Sequence, residues 1–182
     1  MTQPTYRVEF VERTGLKRLE VGRGYAKLLM PLKGNENHVD VLYMGAYTVL
    51  AEAVAAIPGI SILDTTRFFP ILKDIYVAFR KSAASDVTAE FRLSEAELEA
   101  LLADLERKGS ATYIAEFPMH DADGTEVAMG RVTVKLLSHG KHLYMIWPSE
   151  DWTKTFAVGV DVTDPQSPKL GSRIAIDTPY SM

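Results

Sequence analysis

The feature that most constrains the fold is an apolar run, MGAYTVLAEAVAAIPG, which begins at Met44 and ends at Gly59. It is rich in Ala and Leu and stops at Pro58-Gly59, so it predicts a helix from Met44 to about Ile57. Apolar residues cover every side of this helix instead of one stripe. Because a helix of that kind is poorly suited to a surface, we expect it at the centre of the fold, covered by other elements.

Segments in which apolar and polar residues alternate lie on both sides of this helix in the sequence. Before it, Leu19 and Val21 alternate with charged neighbours, and the turn Gly22-Arg23-Gly24 leads into the arm 25–30, which predicts a hairpin. After it, the same period of two residues marks 74–80, 87–92, 113–117 and 127–137. Sheets with one buried face produce this alternation, so we predict an α+β protein with an antiparallel sheet.

Two further helices are predicted. Ser94 and Glu97 are placed as a capping box, Gly109 follows the helix 94–108, and leucines line one face, which is typical of a surface helix. Residues 8–14 favour a short helix.

Neither a repeat nor a linker divides the chain. We therefore predict a single domain over 1–182, with a core of about 15–137. The role of the extension, 138–182, is open, and a strand is predicted there at 156–162.

The composition excludes several classes of protein. The chain of 182 residues contains no cysteine, which removes disulfides, thiol nucleophiles and cysteine–metal sites. Its four histidines lack the spacing of a metal-binding helix, so no metal is expected. A net charge of −4 without a basic run argues against nucleic acid as a partner. The apolar run is shorter than the ~20 residues that span a bilayer. Since the N-terminus also lacks a signal pattern, we expect a cytoplasmic protein with no membrane partner.

A long apolar helix wrapped by a curved antiparallel sheet is the architecture of the hotdog fold, and residues 37–52 (NHVDVLYMGAYTVLAE) carry a closer likeness. They resemble the core motif of the phenylacetyl-CoA-type thioesterases within the hotdog acyl-CoA thioesterase superfamily. Those proteins carry an Asn, six residues later a His followed by two glycines, and an acid nine residues beyond the His. The matching residues here are Asn37, Tyr43, Met44, Gly45 and Glu52, so Tyr replaces the His and Met replaces the first Gly. With 74–83 (DIYVAFRKSA), which resembles the strand and loop after the helix, the likeness covers roughly 15–137.

The resemblance implies an acyl-CoA thioesterase that hydrolyses a small or medium acyl-CoA. Glu52 would be the general base that activates water, or less often the nucleophile. Burial penalises the charged form of a carboxyl group, which suits a base. An unpaired carboxylate in an apolar helix is also costly, so a catalytic role would explain why it is kept. The N–H groups of Met44 and Gly45 at the helix N-terminus would form the oxyanion hole, with Gly45 letting the thioester carbonyl approach the backbone. Asn37 would hold the attacking water or the substrate carbonyl, and Tyr43 would add a phenol donor.

The resemblance also implies how the substrate is held. Arg80 and Lys81 would contact the phosphates of coenzyme A, which enters as part of the substrate, with no separate cofactor. In the family the site lies between two subunits, which implies a homodimer or a dimer of dimers.

Two alternatives stay open at this point. Loss of the family's His and of one glycine would also suit a domain that binds acyl-CoA or a fatty acid without turnover. A hotdog dehydratase or hydratase is less favoured, because those enzymes carry Gly-His-Phe-Pro where this chain has Leu42-Tyr43-Met44-Gly45. Ordinary structural roles compete as well, with Asn37 as a turn residue and Arg80 as a solvated charge.

Overall fold

The structure of the protein is a computed structural model that describes residues 8–139, 142–148, 154–161 and 169–177, with side chains over 8–139. The chain forms two compact units, 1–137 and 138–182. The single domain predicted over 1–182 stays a prediction.

The first unit combines one long helix with six strands. Its elements are α1 (Glu9–Arg13), β1 (Lys17–Gly22), β2 (Tyr25–Met30), α2 (Met44–Ile60), β3 (Phe68–Phe79), β4 (Val87–Arg92), α3 (Glu95–Lys108), β5 (Ser110–His120) and β6 (Glu126–Ser138). The strands form a curved antiparallel sheet in the order β1-β2-β4-β5-β6-β3, so β1 and β3 are its edges. The sheet packs against α2, which confirms the predicted hotdog fold.

Because apolar and polar residues alternate along the strands, one face of the sheet is apolar and packs on α2. In β2, for example, Ala26, Leu28 and Met30 are buried while the residues between them are partly exposed. The core that they join contains Leu50 and Val54 of α2, both fully buried. Burial of a side chain of this size contributes about 1.5–3 kcal/mol, so the contact between helix and sheet is the main source of stability.

The two minor helices were predicted correctly. In α3, the Ser94 hydroxyl accepts a hydrogen bond from the Glu97 N–H at 3.3 Å, and the Glu97 carboxylate accepts one from the Ser94 N–H at 2.7 Å. Gly109 ends the helix with φ 64°, a left-handed conformation that glycine adopts without strain. The short helix expected at 8–14 is α1.

The second unit is a three-stranded antiparallel sheet in the order β7-β8-β9. Its strands are β7 (His142–Pro148), β8 (Lys154–Asp161) and β9 (Lys169–Asp177). The strand predicted at 156–162 corresponds to β8, whereas β7 and β9 were not predicted.

The predicted end of the central helix at Ile57 was wrong. Helix α2 continues to Ile60, with Pro58 inside it. A proline within a helix removes one N–H donor, and its ring presses on the carbonyl four residues earlier. The Val54 carbonyl therefore lacks its usual helix donor, and the adjoining pair of helix residues, Ala55 and Gly59, needs support of its own.

The hydroxyl of Tyr113, on β5, supplies this support. It donates to the Ala55 carbonyl at 2.6 Å and accepts from the Gly59 N–H at 3.2 Å, so it bridges two helix residues that are four apart. Burial raises the pKa of Tyr113, which keeps the phenol proton available for this donation. A side chain at Gly59 would collide with the hydroxyl, because an added Cβ would lie 2.5 Å from it. A residue of the sheet thus allows α2 to run past its proline.

We predict that Tyr113→Phe lowers the free energy of unfolding by about 1–3 kcal/mol, because two buried backbone groups of α2 lose a shared partner. Chemical denaturation followed by circular dichroism measures the change. Thr112→Val is the matched control, since it removes an exposed hydroxyl from the same strand. Equal stability of the two variants would show that the bridge contributes nothing.

Candidate active site

The loop before α2 is built around the side chain of Asn37. Its Oδ1 accepts hydrogen bonds from the N–H groups of Val39 at 2.9 Å and Val41 at 3.3 Å. Inside this loop Asp40 has φ 59°, and it is the one residue other than glycine with a positive φ in the described part of the chain. The Asn37 side chain therefore stabilises a backbone conformation that side chains rarely adopt.

This geometry decides what Asn37 can offer a substrate. Because two backbone N–H groups occupy Oδ1, the amide nitrogen Nδ2 is the part of the side chain left to bind another molecule. Nδ2 can only donate hydrogen bonds. Of the two roles expected for Asn37, the geometry favours donation to a substrate carbonyl over acceptance from the attacking water.

The N-terminus of α2 carries the donors expected for an oxyanion hole. The Ala46 N–H donates to the Tyr43 carbonyl at 2.9 Å, whereas the N–H groups of Met44 and Gly45 have no acceptor among the described residues. Met44 is 59% exposed, so these donors lie at the surface. Free N–H groups at the positive end of a helix dipole are suited to stabilise a developing negative charge.

The space over Gly45 is occupied by a side chain. The ring of Tyr43 lies against Gly45, and a Cβ added there would be 2.7 Å from the ring atom Cε1. The glycine thus gives room to the tyrosine ring. Since Tyr43 is 54% exposed, a ligand that approaches Gly45 from this side meets the ring.

Arg80 and Lys81 follow β3 at the same end of α2. Their N–H groups both donate to the Val127 carbonyl, and two residues further on the Ala83 carbonyl accepts from the Leu42 N–H at 2.9 Å. Arg80 pairs with Glu126 at 3.4 Å on the surface. Lys81 is exposed and has no ion pair among the described residues. Lys81 is therefore freer than Arg80 to bind an anionic ligand.

Glu52 lies two turns further along α2, and its predicted burial was wrong. The side chain is exposed, on the one stripe of the helix that the sheet leaves open, with Met44 and Thr48. Glu52 forms no ion pair in the described part of the chain.

The second half of α2, from Glu52 to Ile60, forms one wall of a groove of about 690 Å³. The other walls come from α1 and from the two edge strands, because the curved sheet does not close around the helix. The apolar residues lining it are Val8, Val11, Leu16, Val21, Ala53, Ala56, Ile57, Ile60, Phe69, Pro70 and Leu72. Glu52 is among its charged residues, and α1 and β1 were not predicted to contribute to a site.

The predicted site residues therefore fall into two groups. Asn37, Tyr43, Met44 and Gly45 gather around the N-terminus of α2, with Arg80 and Lys81 on the adjoining loop. Glu52 stands apart in the groove. Among the residues that the structure describes, no three His, Asp or Glu side chains are arranged to hold a metal ion. No helix within the same residues is long and apolar enough to cross a membrane.

The comparison with family models decides the family. Residues 10–136 match the model of the domain of unknown function DUF4442. The chain belongs to the DUF4442 family. The match spans α1 to β6 and therefore contains both α2 and the groove, whereas the second unit lies outside the DUF4442 region. No curated protein matches the chain.

Solved structures place this DUF4442 chain in a hotdog thioesterase-like family, as the resemblance predicted. A Pseudomonas aeruginosa protein of unknown function, called a probable thioesterase, is 35% identical, with a TM-score of 0.68 over 72% of this chain and 89% of that one. A Haemophilus influenzae thioesterase (16% identity, TM-score 0.56, 71% and 82% covered) shares the fold. So does a Staphylococcus aureus thioesterase mutant (18% identity, TM-score 0.59, 71% and 99% covered).

We predict that Asn37→Ala and Asn37→Asp differ in stability. The alanine variant loses both hydrogen bonds to the loop, which costs about 1 kcal/mol, whereas the aspartate keeps an acceptor there and stays within about 0.5 kcal/mol of the native protein. Urea unfolding measures both. A stable Asn37→Ala variant would mean that the loop does not depend on this side chain.

Proposed function

We propose that the protein is a thioesterase that hydrolyses acyl-CoA. The observation that carries this proposal is Glu52, an unpaired carboxylate that opens into an apolar groove of about 690 Å³ on the same helix whose N-terminus offers free N–H donors. Hydrolysis of a thioester needs a base for water, donors for the carbonyl oxygen and an apolar site for the acyl group. All three are present in residues of the first unit.

In the proposed reaction Glu52 removes a proton from water while the water oxygen attacks the thioester carbon. The N–H groups of Met44 and Gly45 stabilise the oxyanion of the tetrahedral intermediate, together with Nδ2 of Asn37. Collapse of the intermediate breaks the C–S bond, and the departing thiolate takes the proton that Glu52 has held. The products are a carboxylic acid and free coenzyme A, and the carboxylate is regenerated.

We further propose that the working form is a homodimer with its site between two chains. At 1.5 Å per residue, Glu52 is about 10 Å along the helix axis from Gly45, which is too far for both to act on one thioester within a chain. A second helix with its N-terminus beside Glu52 would bring the groups together. The edge strand β3 supports such pairing, because its unpaired backbone is accompanied by the exposed Tyr76 and Phe79.

The same arrangement gives roles to the remaining residues. Arg80 and Lys81 would attract the phosphates of coenzyme A to the end of α2, with Lys81 the stronger candidate because Arg80 is paired with Glu126. The phenol of Tyr43 would donate to the substrate once its ring has left Gly45.

A second function is favoured by one observation. The ring of Tyr43 covers the glycine that a reacting carbonyl would have to approach. If the ring keeps this position, the protein would bind acyl-CoA or a fatty acid in the groove without hydrolysing it.

We predict that Glu52→Gln lowers kcat/KM for acyl-CoA hydrolysis by about 10²–10⁴, because the amide cannot accept the proton of water. Thiol release measures the rate. Glu99→Gln is the control, since Glu99 is an exposed residue of α3 away from the groove. A native protein with no turnover on any acyl-CoA, but with tight binding of the substrate, would favour the binding function.

Mixing two inactive variants tests the proposed dimer. Glu52→Gln lacks the base, and Gly45→Val places a side chain against Tyr43 at the donors. If each site takes Glu52 from one chain and Gly45 from the other, a mixed dimer keeps one intact site. Co-refolding equal amounts should then restore about a quarter of native activity, since half of the dimers are mixed and each has one of two sites. Sites within single chains would give no recovery.

A further inference from the structure

The inner face of β1 contains an unexpected charge, Arg18. The register pairs Arg18 with Leu28 and Val21 with Ala26, and both partners are fully buried residues of the sheet face that packs on α2. Residues directly opposite in an antiparallel pair share a face. Arg18 and Val21 therefore both point toward α2, although strict alternation along β1 would place them on opposite faces.

A β-bulge at Leu19 explains this arrangement. The register shifts between Arg18 and Glu20, which leaves Leu19 as the extra residue. The bulge reverses the alternation, so Val21 follows Arg18 onto the inner face. Both side chains line the groove, whereas Lys17 and Leu19 do not.

Arg18 and Glu52 lie on facing walls of the groove. At the turn, the Gly24 N–H donates to the Ser61 hydroxyl at 2.7 Å, which fixes the hairpin to the end of α2. Arg18 on β1 and Glu52 on α2 both line the space between these two elements. The groove thus contains a cation on one wall and a carboxylate on another.

The two groups do not neutralise each other. Arg18 forms no ion pair among the described residues, and neither does Glu52, although both border the same space. Of the other charged groups in the groove, Arg23 is paired with Glu95 at 3.3 Å, and Glu12 lies on α1. Between Arg18 and the hairpin turn, the apolar residues Val21, Ile57 and Ile60 line the groove. An unpaired guanidinium above an apolar space is suited to a ligand with an oxygen-bearing head and a hydrocarbon tail.

We propose, on the basis of the thioesterase function above, that the groove is the acyl site and that Arg18 binds the acyl oxygen. The carbonyl of the substrate, and after hydrolysis the carboxylate of the product, faces Arg18 beside Glu52. The tail runs between α2 and β1 toward Ile60. The favoured substrates are acyl thioesters with an unbranched apolar chain long enough to fill this space.

Free fatty acids provide the test, because their binding requires no hydrolysis. Calorimetry with butyrate, octanoate and dodecanoate should show affinity that rises with chain length, by up to about fourfold for each CH₂ buried, until the groove is full. Arg18→Met should weaken octanoate binding about tenfold or more while leaving octanol binding unchanged, because only the acid has a charged head. Lys17→Met, a cation on the other face of the same strand, should change neither.

The tail is tested by a second matched pair. Val21 and Leu19 are 49% and 48% exposed on the same strand, but only Val21 lines the groove. Val21→Asp should abolish the rise of affinity with chain length, whereas Leu19→Asp should preserve it. Equal behaviour within either pair would overturn the proposal. So would a change from dimer to monomer in Val21→Asp, by light scattering, with fatty-acid binding intact, because the groove would then be an interface between copies.

These outcomes separate the inference from the proposed function. A protein that binds dodecanoate in the groove but never releases thiol from acyl-CoA refutes the thioesterase and keeps the acyl site. A protein that hydrolyses acyl-CoA while both matched pairs behave alike refutes the acyl site alone.

Discussion

The constraint on which the whole first unit depends is that α2 has almost no polar side chain with which to face water. Of its 17 residues only Tyr47, Thr48 and Glu52 carry a polar side-chain group. A sheet that curves around such a helix can bury most of its circumference, but a six-stranded sheet with free edges leaves one stripe open. The groove, the exposure of Glu52 and the unsatisfied edges of β1 and β3 all follow from this incomplete closure.

Local sequence signals were sufficient for the parts of the fold that local interactions determine. Ser94, Glu97 and Gly109 satisfy the ends of α3 within a few residues, so its limits could be read from the sequence. The end of α2 could not, because the hydroxyl that carries the helix past Pro58 comes from Tyr113, which is 55 positions away and carries no local mark. Periodicity predicted a sheet, but it could not predict the bulge at Leu19, since a bulge changes the phase of a pattern without changing its composition.

The candidate site shows the same division. The spacing from Asn37 to Glu52 indicated the right helix and the right family, and the structure places four of the five motif residues together. Exposure of Glu52 was missed because an apolar sequence predicts burial on all sides, whereas the open stripe depends on where the sheet edges stop. Tyr43 illustrates the limit of a motif, since replacement of His by Tyr fills the space that a glycine would otherwise leave open. The place of Arg18 in the groove depends on register and had no signal in the motif.

The bridge from Tyr113 to α2 has a consequence for how this chain can change in evolution. Pro58, Gly59 and Tyr113 form one steric and hydrogen-bonding unit: the proline creates the need for a partner, the tyrosine supplies it, and the glycine leaves room for the hydroxyl. A substitution at one of these positions changes the cost of substitution at the other two. We therefore expect amino-acid replacements at Pro58, Gly59 and Tyr113 to occur together in evolution, so that this part of α2 and the facing part of β5 change as a unit.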